Sequence, residues 1–322
     1  MMNLVSRRLF LVGTGLGIAT ANVPALAASD LSGVTLRVGD QVGQQQSKLR
    51  AAGLLDDVPY KIDWSVYPAA VNLHEALKAD AIDIGAANDS PTVTAVANGS
   101  KVQVVAAWDN GGLGTSLLVP RNSQVQAIAD LRGKTISPTT RGSVAHHLVV
   151  GALRQAGVGL DEVKLAFLNP VDAAAAFQSG AIDSWATWGL YVARARGQLG
   201  ARILSDGVGI NSGLFVFSAT LTALADSRKR LAMADFFNRI ERGYVWSRDQ
   251  RAKDIEWLKA FTKQDDAIAE ALYFEDSSYR RIAIDDAFAD RLRKTFDTWT
   301  SIGVLNGDID FRSRIVRDIP IG

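Results

Sequence analysis

The chain has 322 residues, of which 48% are hydrophobic and 21% are charged, so it is long enough for two folded domains and too apolar for a disordered chain. It contains no cysteine, which excludes disulfides, thiolate metal sites and a cysteine nucleophile. A formal net charge of +1 gives no basic surface typical of nucleic-acid binding. We therefore expect no nucleic-acid partner, no metal and no cofactor.

The first 28 residues are typical of an export signal. Two arginines precede an apolar run at 9–21, and an Ala-Leu-Ala cleavage site follows. The string Ser-Arg-Arg-Leu-Phe-Leu that begins at Ser6 resembles a twin-arginine signal, with an ordinary secretory signal as the alternative. The apolar run falls short of the roughly 20 residues that a membrane span needs. We expect a periplasmic protein, processed near Ala27 or Ala28 and not membrane-spanning afterwards.

After this signal, strand and helix patterns alternate twice, and helices follow. The first block predicts strands at 34–38, 61–66, 82–85, 102–107 and 115–119, separated by helices in most of the gaps. The second block predicts strands at 135–137, 164–168, 182–187, 202–204 and 213–218, with helices at 143–156, 172–178 and 191–196. Such alternation predicts parallel sheets in two α/β lobes. After Ala219 the apolar spacing predicts helices alone.

One short stretch occurs twice. Ala-Leu-Lys-Ala-Asp-Ala-Ile-Asp at 76–83 is echoed by Ala-Phe-Gln-Ser-Gly-Ala-Ile-Asp at 176–183, each time between a helix and a strand. The spacing is too long for a solenoid repeat. Two similar lobes that each deliver a strand end to a shared cleft would explain the echo, with chance similarity as the alternative.

The order of the elements divides the chain into four segments. They are the signal at 1–28, the first part of lobe 1 at 29–118, lobe 2 at 119–213, and the second part of lobe 1 with the terminal helices at 214–322. The strands at 115–119 and 213–218 bracket the second block. We take these strands as the crossings between lobes, which carry the motion that closes such a cleft.

The stretch from Arg141 to His147 is the first candidate for ligand binding. Gly142 permits close approach of the backbone, Ser143 can cap a helix, and the first N–H groups of that helix lack partners within it. Such a helix start favours an anion, with an ordinary capped helix as the alternative. The site residues that we predict here are Arg141, Gly142, Ser143, Val144 and His146, and we place His147 outside the site.

The other candidate contacts follow strands elsewhere in the chain. A second helix start, at Asn88 and Asp89, would face the first one across the cleft. Aromatic residues at strand ends suit the apolar part of an organic ligand, with a buried core position as the alternative. The predicted contacts outside the first stretch are Asn88, Asp89, Trp108, Thr187, Trp188 and Tyr191. We identify no set of nucleophile, base and orienting group, and so predict that the protein is not an enzyme.

These stretches resemble the substrate-binding proteins of ABC importers for aliphatic sulfonates, in the wider group that also handles taurine and nitrate. The similarity covers nearly the whole mature chain and is strongest at 54–64, 127–134 and 141–188. It implies a two-lobed periplasmic binding protein of type II. Each lobe would be a mostly parallel sheet flanked by helices, and the ligand would bind in the interlobe cleft. The loop that carries Gln41, Gly43 and Gln44 matches a family segment that faces this cleft.

The resemblance also implies a function. The protein would be a monomeric receptor that delivers a small organic anion, an alkane- or aryl-sulfonate, to an ABC transporter permease. The chain departs from the family at Ala145 and at Gly189-Leu190, which border the pocket and leave the identity of the sulfonate open. One alternative is a nitrate- or bicarbonate-type receptor with a small polar pocket. Another is an enzyme on the same scaffold that acts on an organosulfur compound without a cysteine.

Overall fold

The structure is a computed structural model that describes residues 31–320, so the predicted signal at 1–28 lies outside the described residues. The strands are β1 (Thr35–Gln41), β2 (Lys61–Tyr67), β3 (Ile84–Asn88), β4 (Gln103–Asp109), β5 (Thr115–Val119), β6 (Thr135–Ser137), β7 (Lys164–Leu165), β8 (Ser184–Trp188), β9 (Arg202–Asp206), β10 (Leu214–Ala219) and β11 (Arg280–Ile282). The helices are α1 (Gln44–Ala51), α2 (Ala70–Lys78), α3 (Asp89–Ala97), α4 (Val144–Gln155), α5 (Pro170–Ser179), α6 (Gly189–Leu199), α7 (Leu221–Ala225), α8 (Ser227–Asp249), α9 (Arg251–Thr262), α10 (Asp266–Asp276) and α11 (Asp286–Ser301).

In the described part of the chain these strands form two sheets, both within one compact unit. The first sheet has the order β11-β4-β10-β3-β1-β2, and the second has the order β7-β6-β8-β5-β9. The strands β1 and β6 pair in parallel with both of their neighbours, whereas β10 and β5 run antiparallel to theirs. The two sheets are therefore built alike, which confirms the predicted α/β fold. We call the second sheet with α4, α5 and α6 lobe 2, and the rest of the described chain lobe 1.

The repeated stretch occupies equivalent places in the two lobes. The N–H of Asp83 donates to the carbonyl oxygen of Arg37, and the Asp83 carboxylate accepts from the N–H of Arg37 at 2.9 Å. Asp183 makes the same pair of bonds with Thr135, and there the carboxylate accepts at 2.8 Å. Each aspartate thus ties the segment before one strand to the neighbouring parallel strand. The echo in the sequence marks this shared joint.

The chain changes sheet through two short linkers rather than through strands. It passes from β4 to β5 through residues 110–114 and returns from β9 to β10 through residues 207–213. The predicted boundary between residues 118 and 119 therefore falls inside β5, because strand patterns do not show which sheet a strand joins. The two linkers touch, since the N–H of Asn110 donates to the carbonyl oxygen of Gly213 at 3.1 Å.

The helices that follow β10 pack on both lobes. The predicted run of helices is interrupted by β11, a three-residue edge strand that pairs with β4 and is too short to show an alternating pattern. Trp257 of α9 and Leu272 of α10 form an apolar cluster with Ala193 of α6, so these helices touch lobe 2 as well as lobe 1. No helix within residues 31–320 is both long and apolar enough to cross a membrane.

Candidate functional site

Two cavities lie between the lobes and share one wall. Cavity A has a volume of about 90 Å³, opens to solvent and extends toward α9 and α10. Cavity B has a volume of about 70 Å³ and extends toward α2 and α3. Gln41, Asn88 and Trp188 line both cavities. These residues end β1, β3 and β8, so the shared wall is built from the carboxyl ends of parallel strands in both lobes, where ligands bind in open α/β sheets.

Many of the residues predicted from the sequence meet at these walls. Those that line cavity A, cavity B or both are Gln41, Gln44, Asn88, Arg141, Ser143, Val144, Trp188 and Tyr191. They come from strand ends and helix starts on both sides of the cleft. The structure thus brings together the two helix starts, at α3 and α4, that the sequence predicted to face one another.

Other predicted residues lie behind the walls. Trp108 is fully buried, and its indole N–H donates to the Glu241 carboxylate at 2.7 Å, so it belongs to the core of lobe 1 beneath α8. Asp89 is buried and accepts from the Thr295 hydroxyl at 2.5 Å, which ties α3 to α11. Thr187 is also fully buried. A residue at a strand end can point into the sheet's covered face, and the sequence pattern does not show which face that is.

Gly43 and Gly142 shape the walls through their backbones. Each precedes a helix and has a left-handed φ of 76°, which favours glycine. A Cβ on Gly142 would lie 2.6 Å from the Thr94 hydroxyl of α3, so only glycine allows the two lobes to approach this closely. Ligand contact by either glycine stays a prediction.

His146 is buried behind the start of α4. Its ring lies 4.8 Å from the Trp299 ring and 5.0 Å from the Phe167 ring, measured between centroids. Its Nδ1 accepts from the N–H of Gly142 at 3.1 Å. Burial, helped by the nearby charge of Arg141, lowers the pKa of His146 to about 3, so the ring is neutral. His146 holds the loop in place and lines neither cavity, which corrects the expectation that it faces the ligand.

The start of α4 offers unpaired donors at the wall of cavity B. The Ser143 hydroxyl accepts from the N–H of His146 at 3.1 Å and so caps the helix. Among the described residues, the N–H groups of Val144 and Ala145 have no hydrogen-bond partner. The Arg141 guanidinium, which also lines cavity B, lies 4.3 Å from the centre of the Phe167 ring. The free N–H group of Val144, the positive end of the helix dipole and Arg141 therefore lie together at this wall.

The start of α6 makes a similar wall for cavity A and also joins the lobes. The N–H groups of Leu190 and Tyr191 have no partner among the described residues. The Tyr191 hydroxyl donates to the carbonyl oxygen of Pro68 in lobe 1 at 2.9 Å. This bond crosses the cleft, so the lobes are held together beside the shared wall.

Comparison with known proteins identifies the family. A family model described as the periplasmic substrate-binding protein of a phosphonate ABC transporter matches residues 44–236. The chain belongs to this substrate-binding family. Residues 44–236 include Asn88, Trp188 and the start of α4, whereas Gln41 and the terminal-helix lining of cavity A lie outside the match.

Relatives of this substrate-binding protein are named for sulfonates. An aliphatic sulfonates-binding protein of Escherichia coli K12 is 35% identical over 207 residues, which cover 63% of this chain and 64% of the relative, less than two thirds of its length. The alkanesulfonate-binding protein of Xanthomonas axonopodis pv. citri, solved with MOPS bound, has a TM-score of 0.79 and 25% identity over 89% of this chain and 99% of its own. The aliphatic sulphonate binding protein of Escherichia coli has a TM-score of 0.73 and 27% identity, over 88% and 92%. A desulfurization enzyme shares the fold at 13% identity and a TM-score of 0.62, which shows the fold alone.

Sequence reasoning missed part of both cavities of this substrate-binding protein. Cavity B also contains His74 and Lys78 of α2, and cavity A also contains Tyr244, Glu275 and Asp276 from the terminal helices. The terminal residues lie far from β1 and β8 along the chain, and their helical spacing indicated core packing only. An adjacent acidic pair at the end of an apolar helix was the available signal. Within residues 31–320, no group of three or more histidine and acidic side chains is placed to hold a metal ion.

Proposed function

We propose that this protein is an exported periplasmic receptor that binds an alkane- or aryl-sulfonate between its lobes and delivers it to the permease of an ABC importer. The observation that carries the proposal is the start of α4, where Arg141 and Val144, whose N–H group is free, line cavity B, with the free N–H group of Ala145 next in the helix. These groups match an anionic head with several acceptor oxygens. The relatives named for sulfonates support the choice of ligand.

The charges of the cleft favour a sulfonate over a phosphonate, although the family model is named for the latter. A sulfonate carries a single negative charge, whereas a phosphonate has a second ionisable hydroxyl group and carries more than one negative charge near neutral pH. Cavity B contains Glu75 besides Lys78 and Arg141, and cavity A adds three acidic side chains. A second negative charge on the ligand would be repelled by those of these carboxyl groups that are ionised.

The two alternatives receive less support from the site. Nitrate and bicarbonate have no apolar part to contact the rings of Trp188 and Tyr191 in the cavity walls. A catalyst would need a reactive group beside the anion, and the side chains at the start of α4 are engaged in capping and packing. We therefore propose a receptor rather than an enzyme. Accumulation of a product from a bound organosulfur compound would contradict this.

The test of the anion site is calorimetric titration with butane-1-sulfonate. We expect Arg141→Ala to raise the Kd at least tenfold, about 1.4 kcal/mol, because it removes the guanidinium at the wall of cavity B. Arg154→Ala is the matched control, since Arg154 is an exposed arginine in the last turn of the same helix and bonds to Ser301. An unchanged Kd in Arg141→Ala, or equal losses in both variants, would remove Arg141 from the site.

A further inference from the structure

Cavity A differs in charge from cavity B. It is lined by the carboxylates of Asp40, Glu275 and Asp276, and no arginine or lysine is among its lining residues in the described chain. Cavity B contains Arg141 and Lys78. Because the two cavities share a wall, one end of the cleft is lined by acidic side chains and the other end contains two basic side chains. A ligand whose anionic head binds at the start of α4 contacts cavity B and leaves cavity A without a binding partner.

The acidic side chains around the end of α10 outnumber the cations that pair with them. Asp276 is 4% exposed; its Oδ2 bonds to Lys48 and Ser247, whereas its Oδ1 is buried without a hydrogen-bond partner. Lys48 is a single ammonium group shared with a second buried carboxylate, that of Asp254, which accepts from Ser247 at 2.7 Å. Glu275 adds a third carboxylate, which has no hydrogen bond or ion pair with the described residues.

Aromatic rings complete this end of cavity A. Tyr244, Tyr279 and Phe261 line it together with the acidic pair. An aromatic face attracts a cation through its quadrupole, and a carboxylate beside the ring adds full charge. The same wall already binds an ammonium in this way, since Lys48 Nζ lies 4.5 Å from the centre of the Tyr244 ring on the side of Asp276.

We propose that cavity A is a subsite for an organic ammonium group, so that the ligand is a zwitterion with its anionic head at the start of α4 and its ammonium between Glu275, Asp276 and the tyrosine rings. The anionic half rests on the proposed function, whereas the ammonium subsite stands on the lining of cavity A. Gln41, Asn88 and Trp188 border both cavities, so the two cavities meet at this wall, and the proposal places one ligand across it.

Two acidic groups of cavity A hold their protons to a higher pH than usual, and a neighbouring cation would favour their ionisation. Burial, with the charge of Asp276 nearby, raises the pKa of Glu275 to about 8. Burial raises the pKa of Asp40 to about 7, although Asp40 is already used by the N–H groups of Gln45 and Gln46 at the start of α1. A positive charge beside Glu275 stabilises its carboxylate form, which is the interaction that an ammonium would gain.

The test compares two sulfonates of equal chain length by calorimetric titration. In 3-aminopropane-1-sulfonate an ammonium replaces the terminal methyl group of butane-1-sulfonate. We expect the amino compound to bind the native protein at least tenfold more tightly, and Glu275→Gln to reduce this preference to less than about threefold. Glu270→Gln is the matched control, because Glu270 is an exposed glutamate of the same helix, paired with Arg251, and should keep the full preference.

The outcomes separate this inference from the proposed function. Equal or tighter binding of butane-1-sulfonate, or a preference that survives Glu275→Gln, would overturn the ammonium subsite and leave the sulfonate receptor intact. If neither sulfonate binds, the proposed function fails, and titration with n-butylammonium decides the subsite. Binding of n-butylammonium that Glu275→Gln weakens at least tenfold would then uphold the subsite, and no binding would overturn it.

Discussion

His146 is a buried base whose neutral form holds the start of α4. Its Nδ1 can accept from the N–H of Gly142 only without a proton, and burial lowers its pKa to about 3, against about 6.5 in an unfolded chain. At a pH between these two pKa values, His146 is protonated in the unfolded chain and neutral in the folded protein. The stability that the neutral ring contributes is therefore present above pH 6.5 and is lost as the pH falls.

The lowered pKa of His146 predicts that the protein loses stability in acid. We expect the free energy of unfolding to fall between pH 6 and pH 4 by up to about 1.4 kcal/mol per pH unit from His146, and His146→Gln to reduce this slope. Urea denaturation at pH 7, 5 and 4 measures it. His74, whose pKa burial lowers to about 4, accounts for the slope that remains in the variant. A slope identical in the native protein and the variant would contradict the assignment.

Both lobes contain the same joint between two parallel strands, made in each lobe by one aspartate. Asp83 and Asp183 bond the neighbouring strand alike, but their surroundings differ. The Asp83 side chain is fully buried and pairs with Arg37 at 2.6 Å and Lys229 at 2.8 Å, whereas that of Asp183 is 41% exposed and lies 3.7 Å from Lys134. Burial alone would raise the pKa of Asp83, yet these two cations and the backbone N–H bond lower it overall.

The paired aspartates therefore serve as matched variants. We expect Asp83→Ala to lower the free energy of unfolding by about 3 kcal/mol, because it removes the carboxylate that pairs with Lys229 and leaves Arg37 only its longer ion pair with Asp80. Asp183→Ala should cost about 1 kcal/mol, since it loses mainly one hydrogen bond to a backbone N–H. Urea denaturation at pH 7 compares the two. Equal losses would show that the backbone bond, rather than the buried ion pairs, carries the stability of this joint.

Elements with a strong periodic pattern could be predicted from the sequence, and their partners could not. The helix start at Ser143 and the echoed aspartates were visible because caps and turns leave local signals. Pairing between distant segments decides which sheet β5 joins and whether β11 forms at all. The inward direction of Trp108 depends on α8, which covers that face of the sheet. Local patterns do not contain this information.

The whole molecule is a cleft with different chemistry at its two ends. Each lobe contributes strand ends to the shared wall, and the terminal helices that pack on both lobes supply the acidic end. The sequence predicted Asn88 and Trp188 as site residues because each lies at the end of an apolar strand, and Gln41 because its loop matches a family segment that faces the cleft. It did not predict the acidic end, because Glu275 and Asp276 reach the cleft only through the packing of α10 against α6 and α9.

The measurement that tests the central claim most directly is thermal unfolding with butane-1-sulfonate, butane-1-phosphonate, butanoate and nitrate, each added to the native protein. A ligand at one hundred times its Kd adds about 2.7 kcal/mol of stability, which for a chain of this size corresponds to a rise in Tm of about 5 °C. We predict this rise with the sulfonate at concentrations where the other three compounds leave the Tm unchanged. A rise with the phosphonate or nitrate and none with the sulfonate would contradict the account.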